Sequence, residues 1–137
     1  MKRNVLQESD AGSNLSGSEH EQLVERLLDD PFKKEAVEWL KGGRIDDKRT
    51  VGRFETNQDA LKLVQDIYDL GALQIFAVQI QPIPKARGQR TGKLIVKLPT
   101  RPGARQRIFD WCRQQGESLG FSPDPDRGET HLFLLLD

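Results

Sequence analysis

Between Lys85 and Arg113 the chain carries nine lysines or arginines and a single acid, Asp110. Side chains of this type at this density hold anions, through charge and through N–H donors. The remaining residues carry the opposite excess, so the 137-residue chain is formally neutral. Charge clustered against a neutral average marks a surface that meets something anionic, or a loop that must stay hydrated. The candidate binding residues are Lys85, Arg87, Arg90, Lys93, Lys97, Arg101 and Arg105. The run Arg87-Gly88-Gln89-Arg90-Thr91-Gly92-Lys93 suits contact with a nucleic-acid backbone. The same charges would also keep an exposed hairpin soluble.

Other chemistries find little support. Gly88 to Lys93 resembles a phosphate loop only at first sight. Three residues separate its glycines where four are required, Leu94 stands where Ser or Thr is needed, and the segment joins two expected strands. His20 and His131 have no Cys or His at ligand spacing. His20 reads as an exposed first-turn residue and His131 as a partly covered strand residue. Cys112 shares a helix with Ile108 and Trp111 and reads as core filler. Asp124 and Asp126 flank Pro125, and Asp29-Asp30 and Asp46-Asp47 sit at element ends, where turn chemistry accounts for them. No Cys-x-x-Cys follows the first strand. The expectation is a non-catalytic protein without metal or cofactor.

Composition bounds the class. A chain of this length is one domain with appendages. No apolar run approaches the roughly 20 residues of a membrane span, and the N-terminal residues lack the apolar stretch of a secretory signal. A lone cysteine forms no internal disulfide, which points to a cytoplasmic setting.

Periodicity supplies the elements. Residues 1–17 lack apolar periodicity and read as a disordered tail. Residues 18–43 read as a helical pair. Ser18 and Glu21 form a capping box ahead of Leu23, Val24, Leu27 and Leu28. Asp30-Pro31 opens a second helix bearing Phe32, Val37, Trp39 and Leu40, and Gly42-Gly43 ends it. Residues 44–137 then alternate strand and helix. A strand near 50–55 is followed by a helix capped by Thr56 or Asn57, with Ala60, Leu61, Val64, Ile67, Tyr68 and Leu70 on its apolar stripe and Gly71 at its end. A strand over 73–81, a polar loop over 82–92 and a strand over 92–98 come next. A helix over 102–119 buries Ala104, Ile108, Trp111, Cys112 and Leu119 and stops at Gly120. A nearly all-apolar strand over 129–136 closes the chain.

This order is that of the ferredoxin-like α/β plait, an α+β fold with an antiparallel sheet in strand order 4-1-3-2 and both helices on one face. Many functions share that architecture, so function must come from the surface. Strand alternation sends Phe54, Phe76, Val78, Ile80, Leu94, Val96, Leu98, Leu132, Leu134 and Leu136 toward the helices. Val51, Arg53, Ile75, Ala77, Lys93, Ile95, Lys97, His131, Phe133 and Leu135 then share the other face. That face is too apolar to stay open, since each buried aliphatic or aromatic side chain gains roughly 1.5–3 kcal/mol as an upper figure. The helical pair is the expected cover, and a homodimer is the alternative. Phe133 is the only aromatic on that face, so base stacking of the RNA-recognition kind is disfavoured. In this topology Lys85, Arg87 and Arg90 gather near Asn57, and Arg101, Arg105 and Arg107 at the opposite end.

The functional expectation is a small binding module for a nucleic acid or another polyanion, or for a phosphorylated ligand, through the basic hairpin and the helix N-termini. The alternative is a protein-interaction or dimerisation module using the second sheet face. A ligand site beside Arg53, Lys97 and His131, between sheet and helical pair, is a third reading, and a packed interior there would remove it.

Overall fold

The computed structural model describes residues 17–43, 48–119 and 126–136. The expected tail up to residue 16, the Asp46-Asp47 pair, the Gly120 stop and the loop around Pro123 lie outside them. The elements run α1 (Gly17–Leu28), β1 (Lys34–Glu35), α2 (Ala36–Lys41), β2 (Lys48–Val51), α3 (Asn57–Asp69), β3 (Gln74–Val78), β4 (Gln81–Pro82), β5 (Gly88–Thr91), β6 (Lys93–Lys97), α4 (Pro102–Leu119) and β7 (His131–Leu135). They form a mixed α+β fold with two sheets, one ordered β1-β3-β6-β7 and the other β2-β5-β4.

One strand serves both sheets. Residues 88–97 run as β5 and β6, interrupted at Gly92, while β3 and β4 are interrupted at Gln79, whose φ is 52°. On the other flank, β2 pairs with β5 in parallel and β7 pairs with β6 antiparallel. The two meet end to end. The Gly52 amide donates to the Thr91 carbonyl at 2.8 Å and the Leu136 amide to the Gly92 carbonyl at 2.7 Å. A Cβ on Gly52 would lie 2.6 Å from the Leu136 oxygen, so only glycine lets β2 leave the sheet there. This corrects the expected order 4-1-3-2. The first strand is only four residues long and turns away at Gly52, so the last strand occupies the slot beside β6.

The helices form for local reasons. Thr56 caps α3, its hydroxyl accepting from the Asp59 amide at 3.1 Å. Gly71, at φ 118°, follows its last turn. Ala60, Leu63, Val64 and Ile67 of α3 and Ile108, Phe109 and Cys112 of α4 are buried on one face of the four-stranded sheet. That front face presents Ile75, Ala77, Leu94, Val96, Leu132 and Leu134. The residues on β6 and β7 fall as alternation requires. Those on β3 do not: Ile75 and Ala77 face the helices, while Phe76 and Val78 face the back. Val51 also points into the front core. β3 is apolar on both sides, so its alternation carries no sign, and the break at Gln79 returns Ile80 to the front layer.

Residues 17–41 split between the two faces. Val24 and Leu27 of α1 cover Val78 and Ile95 on the back, with Leu23, Leu28, Phe76 and Phe133 packed around them. Ala36, Trp39 and Leu40 of α2 join the front core. Between them the chain passes the β3 edge as β1, Lys34 opposite Ala77 and Glu35 opposite Phe76. The expected second helix therefore starts at Ala36 and not at Pro31. The Asp30 carboxylate accepts from the Phe32 amide at 2.9 Å and the Gln79 amide at 2.8 Å, which fixes a turn, and Phe32 is left 72% exposed. Glu35 caps α2 through the Glu38 amide at 2.7 Å and accepts from the Tyr68 hydroxyl at 2.5 Å. The Tyr68 oxygen also accepts from the Ile75 amide at 2.9 Å. Burial and the Glu35 carboxylate push the Tyr68 phenol up to about 12.

Candidate anion-binding surface

The small sheet is built by close backbone approach. Gly88 sits at φ 130°, and a Cβ there would lie 2.0 Å from the Lys48 carbonyl oxygen. Only glycine allows β2 to lie against β5 at this point. The resulting register sets Lys48 beside Gly88, Arg49 beside Gln89, Thr50 beside Arg90 and Val51 beside Thr91. Residues level in a parallel pair point to the same side. Arg49 and Gln89 point inward, where the Arg49 guanidinium donates to the Trp39 carbonyl at 2.8 Å and the Trp39 indole to the Gln89 side chain at 3.0 Å. Lys48 and Arg90 take the outer face. Arg90 donates to the Gly52 carbonyl at 2.9 Å, bridging the two strands.

The expected polar loop over 82–92 is thus strand at Pro82 and over Gly88–Thr91, with a turn between them. β4 and β5 pair antiparallel, Gln81 opposite Arg90 and Pro82 opposite Gln89. The turn between them is closed by Ile83 donating to the Gly88 carbonyl at 3.1 Å and Ala86 to the Ile83 carbonyl at 3.3 Å. Lys85 lies at its exposed tip with φ 60°. Residues 48–51 and 81–91 hold five cations (Lys48, Arg49, Lys85, Arg87 and Arg90) and no acid. Lys48 and Arg49 are the members that sequence reasoning does not find. The parallel pairing of β2 with β5 brings both in, Lys48 on the outer side and Arg49 on the inner.

The other candidates stand elsewhere. Lys93 donates to the Gln79 side chain at the break between the sheets. Lys97 is exposed at the far end of β6, level with His131. Arg101 is exposed ahead of α4. Arg105 serves as an internal clamp: its guanidinium meets Asp126 at 2.5 and 3.1 Å and donates to the Glu129 carbonyl at 2.9 Å, with its side chain 13% exposed. The hydrogen bond to Arg105 holds the Asp126 carboxyl below the ordinary carboxylate range. Asn57 is also structural, its amide donating to the Leu40 and Arg49 carbonyls at 2.8 Å each. It grips β2 from the side opposite Arg90.

The histidines are brought together, against expectation for His20. That residue is buried, and its Nε2 donates to the His131 carbonyl at 3.0 Å, pinning the start of α1 to β7. The carbonyl fixes the tautomer, since that oxygen only accepts. The His131 Nδ1 lies 2.9 Å from the Thr130 hydroxyl. Burial, then Lys97 and then His20, holds the His131 imidazole below its ordinary value. Cys112 is buried and its thiol is pushed up to about 12, so it stays protonated and inert. Among the described residues no group of three or more His, Cys, Asp or Glu is placed to hold a metal ion. None of their helices is long and apolar enough to cross a membrane. Compared with known proteins, the chain matches no family model, no curated protein and no solved structure.

Proposed function

We propose that the protein is a non-catalytic binding module whose small basic sheet, β2-β5-β4, meets an anionic partner. The observation that carries this reading is the parallel pairing of β2 with β5, which adds Lys48 to Lys85, Arg87 and Arg90 on a unit that contains no carboxylate. These cations sit on two strands and a turn, a distribution that suits the repeated charges of a nucleic-acid backbone. Aromatic platforms are lacking on the unit, so recognition follows the backbone and not the base. The α3 N-terminus adds little, because Thr56 caps it and Asp59 stands in its first turn. Arg105 is left out of the binding set because Asp126 and Glu129 engage it.

Fluorescence titration with single-stranded and duplex nucleic acid of mixed sequence, over a range of salt, tests this. Binding that weakens as salt rises is expected. The double variant K48E/K85E should lower the slope of log affinity against log salt by about one for each phosphate no longer neutralised. Absence of binding at low salt, or binding indifferent to both salt and the variant, refutes the reading. The dimerisation alternative through the back face has no open surface over Val78 and Ile95, which α1 covers.

A further inference from the structure

We infer that two copies of this chain associate edge to edge through β7, joining their four-stranded sheets into one. The inference rests on main-chain geometry and stands independently of the anion-binding reading. In an antiparallel ladder a residue either exchanges both of its main-chain hydrogen bonds with its neighbour strand or turns both outward. The Leu136 amide donates to the Gly92 carbonyl at 2.7 Å, and the Leu98 amide donates to the Thr130 carbonyl at 2.9 Å. Even-numbered positions of β7 therefore bond to β6, and His131, Phe133 and Leu135 direct their N–H and C=O groups away from the sheet.

The composite edge formed by β2 and β7 is treated in two ways. Along β2 the outward carbonyls are taken: Asn57 donates to Arg49 at 2.8 Å and the Phe54 amide to Val51 at 3.2 Å. Along β7, His20 takes the outward carbonyl of His131. Among the described residues no hydrogen bond reaches the main-chain groups of Phe133 or Leu135. The strand has no proline, bulge or charged side chain of the kind that usually guards an edge.

What fits such an edge is an extended, apolar strand, and β7 of a second copy meets the requirement. With a two-fold axis at Leu134, Phe133 of one copy and Leu135 of the other exchange both main-chain bonds, and symmetry repeats the pair. Both outward amides and both outward carbonyls are then satisfied, and the carbonyl that His20 already holds is not needed. Side chains level across the junction are Phe133 with Leu135 on the back and Leu134 with Leu134 on the front, all apolar. A self-complementary contact of this kind is isologous and closes at two copies. Formal neutrality of the chain leaves no net repulsion against it. Phe133 and Leu135 are each only half-buried, so the junction also covers apolar surface that α1 leaves open.

Sedimentation velocity of the full chain across micromolar to near-millimolar concentration should show a monomer–dimer equilibrium. Amide hydrogen exchange should show protection at Phe133 and Leu135 that grows with concentration. Two variants test the edge without breaking the fold. Leu135→Lys places a guarding charge at a half-buried position. Leu135→Pro removes an N–H that the intrachain ladder does not use. Each should weaken dimerisation at least about tenfold, with circular dichroism unchanged. A monomer at every concentration overturns the inference, as does a dimer that both variants leave intact. Protection of the two amides in a monomer overturns it too, since the edge would then be covered within one chain.

Discussion

The two halves of the strand from Gly88 to Lys97 meet very different surroundings. The second half, β6, is buried between layers, with Leu94 and Val96 under α3 and α4 and Ile95 under α1. The first half, β5, has one neighbour drawn in by a glycine and an outer face of cations. Apolar burial is concentrated in β6 and exposed charge in β5. A break at Gly92, matched by Gln79 on the neighbouring strand, lets one strand hold both roles. The cations of the small sheet and its turn are thus continuous along one strand with a buried apolar layer.

The strongest test of this contrast lies at the glycine. Gly88→Val forces a side chain into the Lys48 main chain and into a backbone conformation it resists. A loss of about 3–5 kcal/mol is expected, with β2 leaving the sheet. Ile95→Ala should cost about 2–5 kcal/mol as a buried cavity, while Arg90→Ala, on the exposed half, should stay near about 1 kcal/mol. Urea denaturation ranks the three, and equal effects at Ile95 and Arg90 would abolish the distinction.

A smaller effect is expected at the far end of the sheet, where a cation has been turned inward. Arg105→Ala should cost about 1.5–3 kcal/mol as its charge-assisted hydrogen bonds disappear. It should also change the acid limb of stability. Asp126 has a folded value below its unfolded one, so its contribution is present above the ordinary carboxylate range and lost as pH falls through the folded value. Denaturation midpoints between neutral and strongly acid pH should fall less steeply in the variant than in the parent.

The smallest expected effect is at the latch between α1 and β7. His131 is held below its ordinary value of 6.5, so the unfolded chain binds the proton first. Stability from this group is full above that value and declines as pH falls toward the folded one. Acidification from about pH 7 to about pH 5 should loosen α1, seen as lower protection factors in residues 19–28 once the slower intrinsic exchange at acid pH is divided out. His131→Asn should flatten that response, and a parent protein whose α1 protection factors ignore pH in this range would show that the latch does not titrate.

Much of this architecture is legible in the chain. Thr56, Gly71 and the spacing of Ala60, Val64 and Ile67 define α3, because caps and period are local properties. The extent of α4 and the faces of β6 and β7 follow in the same way. Leu63 and Phe109 escape such reasoning because their neighbours offer equally apolar stripes. Periodicity places Phe32 in a helix that the Asp30 turn prevents, and His20 in solvent that the His131 carbonyl replaces.

Neighbouring residues alone specify the extents of α3 and α4, the alternation of β6 and β7 and the concentration of positive charge, but not the short strands β1, β4 and β5. Tertiary structure alone decided which side of β3 faces the helices, that Lys48 stands beside Gly88, that Arg105 is engaged by Asp126, and that β7 takes the place expected for the first strand. Those outcomes depend on pairings between distant segments, where a glycine's missing Cβ or a carbonyl's open lone pair selects the partner, and no local pattern encodes that choice.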